Sequence, residues 1–318
     1  MDIPQAGELA TRIRQELAKV VVGQDRVLAQ MVIALLAGGH ALLEGVPGTA
    51  KTLMARALAR VTGAGFRRIQ FTPDLMPSDI LGVNIYDTST GQFVFRPGPI
   101  FTDIVLADEI NRTPAKTQSA LLEAMEERRA TVDGVGHTVS DVFTVFATQN
   151  PVEFEGTYPL PEAQVDRFML KIAVDYPPEA DEAGILDQVA RGFDSADLAT
   201  ANLQEVLDAQ ALRAVRQAVR AVTVQEMVRR YMTQIVRATR TMHQVSMGAS
   251  PRAAVMLMRA AQGCAVLTGR QFVTPDDVKA MTLPVLRHRI MLLPEVEVEG
   301  TTPDDCIRHL LNEIPVPR

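Results

Sequence analysis

The sequence predicts an α/β protein: a mainly parallel sheet covered by helices over residues 1–190, then a smaller all-helical domain over 200–318. Three observations lead there. Short apolar or β-branched runs alternate with helical periodicity through the first half of the chain. A Gly/Pro turn joins the first of these strands directly to the helix after it. Strand patterning then stops after "DYPPEADE", and amphipathic helical spacing takes over.

The founding unit is "GHALLEGVPGTAKTLMARALARV". Residues 40–44 read as the strand, and from Lys51 onward Leu53, Ala57, Leu58 and Val61 recur at helical spacing. Further strands are expected at 66–71, 104–107 and 143–148, with a helix over 115–129. Parallel strands connected this way need helices on both faces of the sheet. Two segments interrupt the alternation. Residues 82–98 carry strand-like runs either side of an Asp-Thr-Ser-Thr-Gly turn, and 130–140 repeat the pattern around Gly134 and Gly136. Both read as inserted hairpins. From about residue 202, Leu203, Val206, Leu207, Val215, Val219 and Val222 fall along one helical face, so the domain boundary lies near 177–202.

Composition narrows the class. With 47% apolar and 22% charged residues over 318, the chain is an ordinary globular protein with a real core. Its net charge of −6 gives no general reason to expect nucleic acid or an anionic membrane as partner. The charge is uneven: 17 basic against 27 acidic residues up to position 200 (net −10), then 15 against 11 (net +4). Two cysteines make no secreted disulfide framework, and the five histidines show no ligand spacing. The N-terminus does not read as a signal peptide. The uncharged stretch 27–43 is short for a span of about 20 residues. A cytoplasmic protein without membrane insertion is expected.

The turn "GVPGTAKT" is close to the phosphate-binding pattern G-x-x-x-x-G-K-[ST], with Ala50 where a second glycine belongs. Such a loop works because successive backbone N–H groups and a helix N-terminus converge on phosphates. Gly45, Val46, Pro47, Gly48, Thr49 and Ala50 form that loop; Lys51 pairs the β/γ-phosphates, and Thr52 offers its hydroxyl to Mg²⁺. Ala50 is small and stands at the mouth of the helix, where it is expected to take helical angles. In "IVLADEI", Asp108 and Glu109 close an apolar strand 57 residues beyond Lys51. Alone, such a pair is a solvated loop more often than a site. Behind a strand–loop–helix unit it becomes a Mg²⁺-holding carboxylate, Asp108, followed by one able to activate water, Glu109. Asn150 ends another apolar run, either orienting the lytic water or simply turning the chain before Pro151. Arg167 follows Asp166, its local partner on the bland reading. Arg252 stands in the first turn of a helix begun by Ser250-Pro251, where a cation opposes the helix dipole. An arginine in a disfavoured place is a candidate for phosphate contact.

Taken together, these residues resemble the AAA+ ATPases, and within them the MoxR family of the helix-2-insert group. The resemblance runs through "VVGQDRV", "GGHALLEGVPGTAKT", "IQFTPDLMPSDILG", "FRPGPIF", "LADEINRTPAKTQSALLEAMEER", "ATQNPVEFEGTYPLPEAQVDRF" and "GASPRAA", most of the chain from 20 to 290. It implies a P-loop AAA+ core with inserted hairpins and a helical lid. It also implies ATP and Mg²⁺ as cofactors, with Thr52 and Asp108 on the metal. Val22, Gly23 and Gln24 would line the adenine pocket. Glu109 would be the catalytic carboxylate, Asn150 sensor 1, Arg252 sensor 2, and Arg167 an arginine finger reaching a neighbour's ATP. A homo-oligomeric ring, a hexamer, follows from active sites at subunit interfaces. The resemblance implies a chaperone-like role with a partner bearing a von Willebrand factor A (VWA) domain. The hairpins would face the pore or a client whose identity the residues do not give.

Two other readings compete. A nucleic-acid motor usually grips phosphates with basic hairpins, but 82–92 and 131–139 contain no Lys or Arg. The arginines at 213, 216, 220, 229, 230, 237 and 240 fit a lid packed against an acidic neighbouring core. A nucleotide-gated scaffold without useful turnover would not need both Glu109 and Arg167.

Overall fold

Five parallel strands set the frame on which the site is built. The structure, a computed structural model, describes residues 1–151 and 157–317. Two helices open the chain, α1 (Ile3–Leu17) and α2 (Asp25–Ala37), neither expected from the residue pattern. The founding unit follows as β1 (Ala41–Glu44), α3 (Lys51–Val61) and β2 (Phe66–Gln70). A short helix, α4 (Pro77–Leu81), leads into the first hairpin, β3 (Gly82–Asp87) and β4 (Gln92–Pro97). Next come β5 (Ile104–Asp108), α5 (Ala115–Glu127) and the second hairpin, β6 (Arg129–Val132) with β7 (Val135–Thr138). The core ends with β8 (Thr144–Gln149), α6 (Glu162–Val165) and β9 (Leu170–Ala173).

The sheet order is β2-β5-β8-β1-β9, every pair parallel. β9 is the strand that sequence reading missed. Its addition beyond β1 makes β1 the place where chain order reverses, so connections leave it on both sides and a crevice opens at its carboxyl end. The pleat sorts the core. Ala41 and Leu43 point to one face with Leu106, Phe146 and Ile172, under α1, α2 and α3. Leu42, Val105, Val145 and Ala147 point to the other, under α4 and α5.

Beyond the sheet lie α7 (Glu179–Ala190), α8 (Ala209–Ala221), α9 (Glu226–Ala238), β10 (Val245–Met247), α10 (Pro251–Leu267), α11 (Pro275–Leu286), β11 (Met291–Leu292), α12 (Pro294–Val298) and α13 (Pro303–Glu313). One short antiparallel pair, β10 with β11, interrupts this helical region. The α8–α11 helices share the hydrophobic cluster of α1 and α2. Arg216 of α8 is buried in that junction, donating to the Leu35 carbonyl at 3.0 Å and the Thr144 hydroxyl at 2.6 Å. Burial, with Arg128 and Arg220 nearby, pulls its pKa down to about 9. Arg213 pairs with Asp141 at 3.4 Å. These two arginines, expected to meet a neighbouring chain, bind the sheet region of their own.

The hairpins brace each other. Phe95 of β4 stacks on His137 of β7 with ring centroids 3.8 Å apart, and Asn84 donates to Asp133 at 2.8 Å. Beyond that contact Tyr86, Phe93 and Val94 stay exposed.

Candidate active site

The loop after β1 is shaped by two glycines for different reasons. A Cβ on Gly45 would lie 2.1 Å from the Val174 carbonyl oxygen, so no larger residue fits beside β9. Gly48 has φ +84°, a conformation that side chains disfavour. Ala50 corrects an expectation: it has φ 61° and ψ 19°, left-handed rather than helical. The chain must reverse sharply there so that α3 starts with its N–H groups facing the loop. An alanine holds that position at a cost of about 1–2 kcal/mol. The Lys51 ammonium folds back and donates to the Gly45 and Val46 carbonyls, both at 2.7 Å. Burial lowers its pKa, and the charges of Asp108 and Glu109 oppose that shift.

Asp108 and Glu109 stand at the carboxyl end of β5, as expected, but their partners come from elsewhere. Asp108 Oδ2 accepts from Arg68 Nε at 3.0 Å and Nη2 at 2.6 Å, and Oδ1 accepts from the Thr148 hydroxyl at 2.5 Å. Thr148 Oγ1 in turn accepts the Glu109 N–H at 2.8 Å. Glu109 is left-handed at φ 58°, a strained backbone that aims its carboxylate out of the strand line. That carboxylate accepts from Gln70 Nε2 at 2.7 Å and pairs with Arg112 at 3.3 Å. Register explains the meeting. Gln70 is the residue opposite Asp108 across β2 and β5, and Arg68, two back, lies on the same face.

A cavity of about 910 Å³ opens beside these groups; Gly45, Val46, Arg68, Gln70 and Arg112 stand outside its lining. Val22, Pro47, Gly48, Thr49, Ala50, Lys51, Thr52, Asp108, Glu109 and Asn150 all reach it, from three strand ends and the loop. Gly23 and Gln24 stand behind Val22 instead; Gln24 Nε2 donates to the Asp175 carbonyl at 2.9 Å, fixing the wall. An apolar wall faces the loop, made by Val20, Val21, Ile185, Val189 and Phe193. Arg56 of α3 anchors the end of that wall by donating to the Ser195 carbonyl at 3.4 Å and the Ala196 carbonyl at 2.9 Å. An apolar slot beside a phosphate loop and two carboxylates suits a nucleotide, base in the slot and phosphates on the loop. Thr52 and Asp108 offer hard oxygen donors that fit Mg²⁺.

Arg167 and Arg252 are not among the described residues lining this cavity. Both pair with Glu126 instead. Arg167 Nε lies 3.0 Å from one oxygen of Glu126 and Arg252 Nη1 lies 3.1 Å from the other. Sequence reading missed Arg68, Gln70, Thr148, Glu126 and the wall at 185–196. Only the first two left a signal, a polar i, i+2 pair ending an edge strand.

Residues 40–170 match the family described as "ATPase family associated with various cellular activities (AAA)", and 237–310 match the "AAA lid domain". The chain is 46% identical over 303 residues to the uncharacterized protein YeaC of Bacillus subtilis, covering 95% of this chain and 93% of that one. Chaperone MoxR1 of Mycobacterium tuberculosis is 40% identical over 312 residues (95% and 81% covered), and Protein MoxR of Methylorubrum extorquens 31% over 330 (98% and 96%). A crystal structure from Cytophaga hutchinsonii, assigned as an ATPase, superposes with a TM-score of 0.90 at 40% identity, covering 99% of this chain and 96% of that one.

Proposed function

Because this chain belongs to the MoxR family of AAA+ ATPases, we propose that it hydrolyses ATP with Mg²⁺ in a homo-oligomeric ring, a hexamer, to remodel or activate a protein client. The observation that supports this most is the division of the arginines from the rest. The phosphate loop, Asp108–Glu109 and Asn150 surround one cavity, while Arg167 and Arg252 share Glu126 away from its lining. A subunit so built holds nucleotide by itself and takes its last cations from a neighbour, Arg167 as finger and Arg252 as sensor 2, both in trans.

Each residue then has a task. Lys51 would leave the loop carbonyls for the β/γ-phosphates, which the loop N–H groups would bind. Thr52 and Asp108 would hold Mg²⁺, which would supply positive charge against the phosphate oxygens. Glu109 takes the proton of the attacking water, and the Asn150 amide orients that water. Arg167 stabilises charge developing on the transferred phosphoryl group, the kind of contribution worth about 10³-fold or more in related chemistry. Residues 1–190 form the core and 200–318 the lid. The exposed Tyr86, Phe93 and Val94 suit contact with a protein rather than phosphates. The partner is a VWA-domain protein and the compartment the cytoplasm.

With no tryptophan in the chain, binding is read with a labelled nucleotide. Lys51→Ala is expected to lose nucleotide, and Glu109→Gln to bind ATP without cleaving it. Turnover by Glu109→Gln at the wild-type rate would remove Glu109 from the chemistry. Held in Mg-ATP, Glu109→Gln should retain a VWA protein that Lys51→Ala does not. Retention of replication or repair factors instead would favour a nucleic-acid motor.

A further inference from the structure

Arg289 belongs to the lid region, three residues beyond α11, yet its side chain is only 1% exposed and enters the core. All five of its N–H donors are engaged. Nε donates to Asp166 Oδ1 at 2.6 Å; Nη2 donates to the carbonyls of Asp166 at 2.9 Å and Phe168 at 2.6 Å. Nη1 donates to the carbonyls of Met169 at 3.2 Å and Val285 at 2.5 Å. Four of these five bonds land on 166–169, on both sides of Arg167. The neighbouring His288 adds a donor, with Nε2 3.0 Å from the Phe168 carbonyl. Asp166 also faces Arg252, 3.9 Å from its second oxygen.

A staple between lid and core needs no such focus. An apolar side chain would fill the space, and burying a guanidinium is costly unless its donors are matched. Here four of the five matching groups belong to one residue's flanks, three of them backbone carbonyls, and that residue's own side chain is 28% exposed and, among the described residues, paired with Glu126. We infer that Arg289 is a positioning residue for Arg167: it fixes the finger's backbone to the lid, so that lid and finger present themselves to a neighbouring subunit as one body. This rests on Arg167 acting as the finger in trans.

Arg289→Lys keeps the charge but loses the fork, with at most three donors left. Nucleotide affinity of the subunit should stay within about twofold while kcat falls about 10- to 100-fold, the scale of a displacement near 1 Å. Asp166→Asn, which keeps an acceptor for Nε but removes the counter-charge, should fall in the same direction and serves if the lysine variant does not fold. A lost structural tie alone would lower stability without being repaired by a partner, so mixing decides. Glu109→Gln subunits carry an intact finger and clamp but cannot cleave. Mixed in equal amounts with them, Arg289→Lys should recover to about half the wild-type turnover per competent pocket, a rise of about 5- to 50-fold, and Arg167→Ala should recover to the same level. Recovery of Arg167→Ala without recovery of either clamp variant overturns the assignment to Arg289. Recovery of neither overturns the trans reading of Arg167, and the clamp with it.

Discussion

Ala50 is the residue at which the site's geometry and its sequence disagree most. A left-handed alanine stores about 1–2 kcal/mol, whereas glycine would hold the same φ freely but lose more entropy on folding. Ala50→Gly is therefore expected to leave stability unchanged or raise it by up to about 1 kcal/mol, read as an upward shift in denaturant midpoint. A loss of more than about 1 kcal/mol would mean the methyl makes packing contacts that outweigh the strain. The P-loop itself was legible from Gly45, Gly48, Lys51 and Thr52, because each is demanded by a local constraint. The left-handed turn at 50 was not, since alanine ordinarily signals right-handed helix.

At the scale of elements, the carboxyl end of β2 reaches across to that of β5. Arg68 donates to Asp108 Oδ2, so if Asp108 holds Mg²⁺ as proposed, Arg68 would compete with the ion for that carboxylate. The guanidinium side is 49% exposed, which limits the pair to about 0–1 kcal/mol. Arg68→Ala should lower the Mg²⁺ concentration for half-maximal turnover by about two- to fivefold, measured by titration at saturating ATP. An increase would instead make Arg68 part of the metal site's scaffold. The hairpins at 82–98 and 130–140 were readable because turn residues sit between strand-like runs. β9 was not, because four residues between a helix and a proline pair carry too little periodicity to separate from loop. Without β9 the crevice beside β1, and the reason Gly45 must be glycine, stay hidden.

For the whole molecule, two histidines, His40 buried and His288 half-buried, predict acid sensitivity. His40 accepts the Val145 N–H on Nδ1 at 2.9 Å and donates from Nε2 to the Met125 carbonyl at 3.2 Å, and burial presses its pKa down to about 3. His288 is also driven well below the usual value, first by burial and then by Arg289. As pH falls through about 6.5 the unfolded chain takes up protons at both positions and the native chain does not. Stability is thus full above that pH and declines below it, by on the order of 2–4 kcal/mol between pH 7 and 5. Urea midpoints at the two pH values check this; equal midpoints would contradict neutral native histidines. His40→Gln should flatten the slope. The lid's docking on α1 and α2 was invisible in sequence, since helical spacing shows which face is apolar but not what it meets. For the same reason sequence reading paired Arg167 with Asp166 or with a phosphate and Arg252 with a phosphate, whereas in the fold both meet Glu126 and Asp166 pairs with Arg289. On the function proposed, that meeting leaves the nucleotide site of one subunit lacking Arg167 and Arg252, to be supplied by a neighbour. Turnover per subunit measured against protein concentration tests this most directly. It should rise with assembly in the wild type and stay low and flat in Arg167→Ala. A rate per subunit that is constant down to dilutions where the chain is monomeric would contradict it.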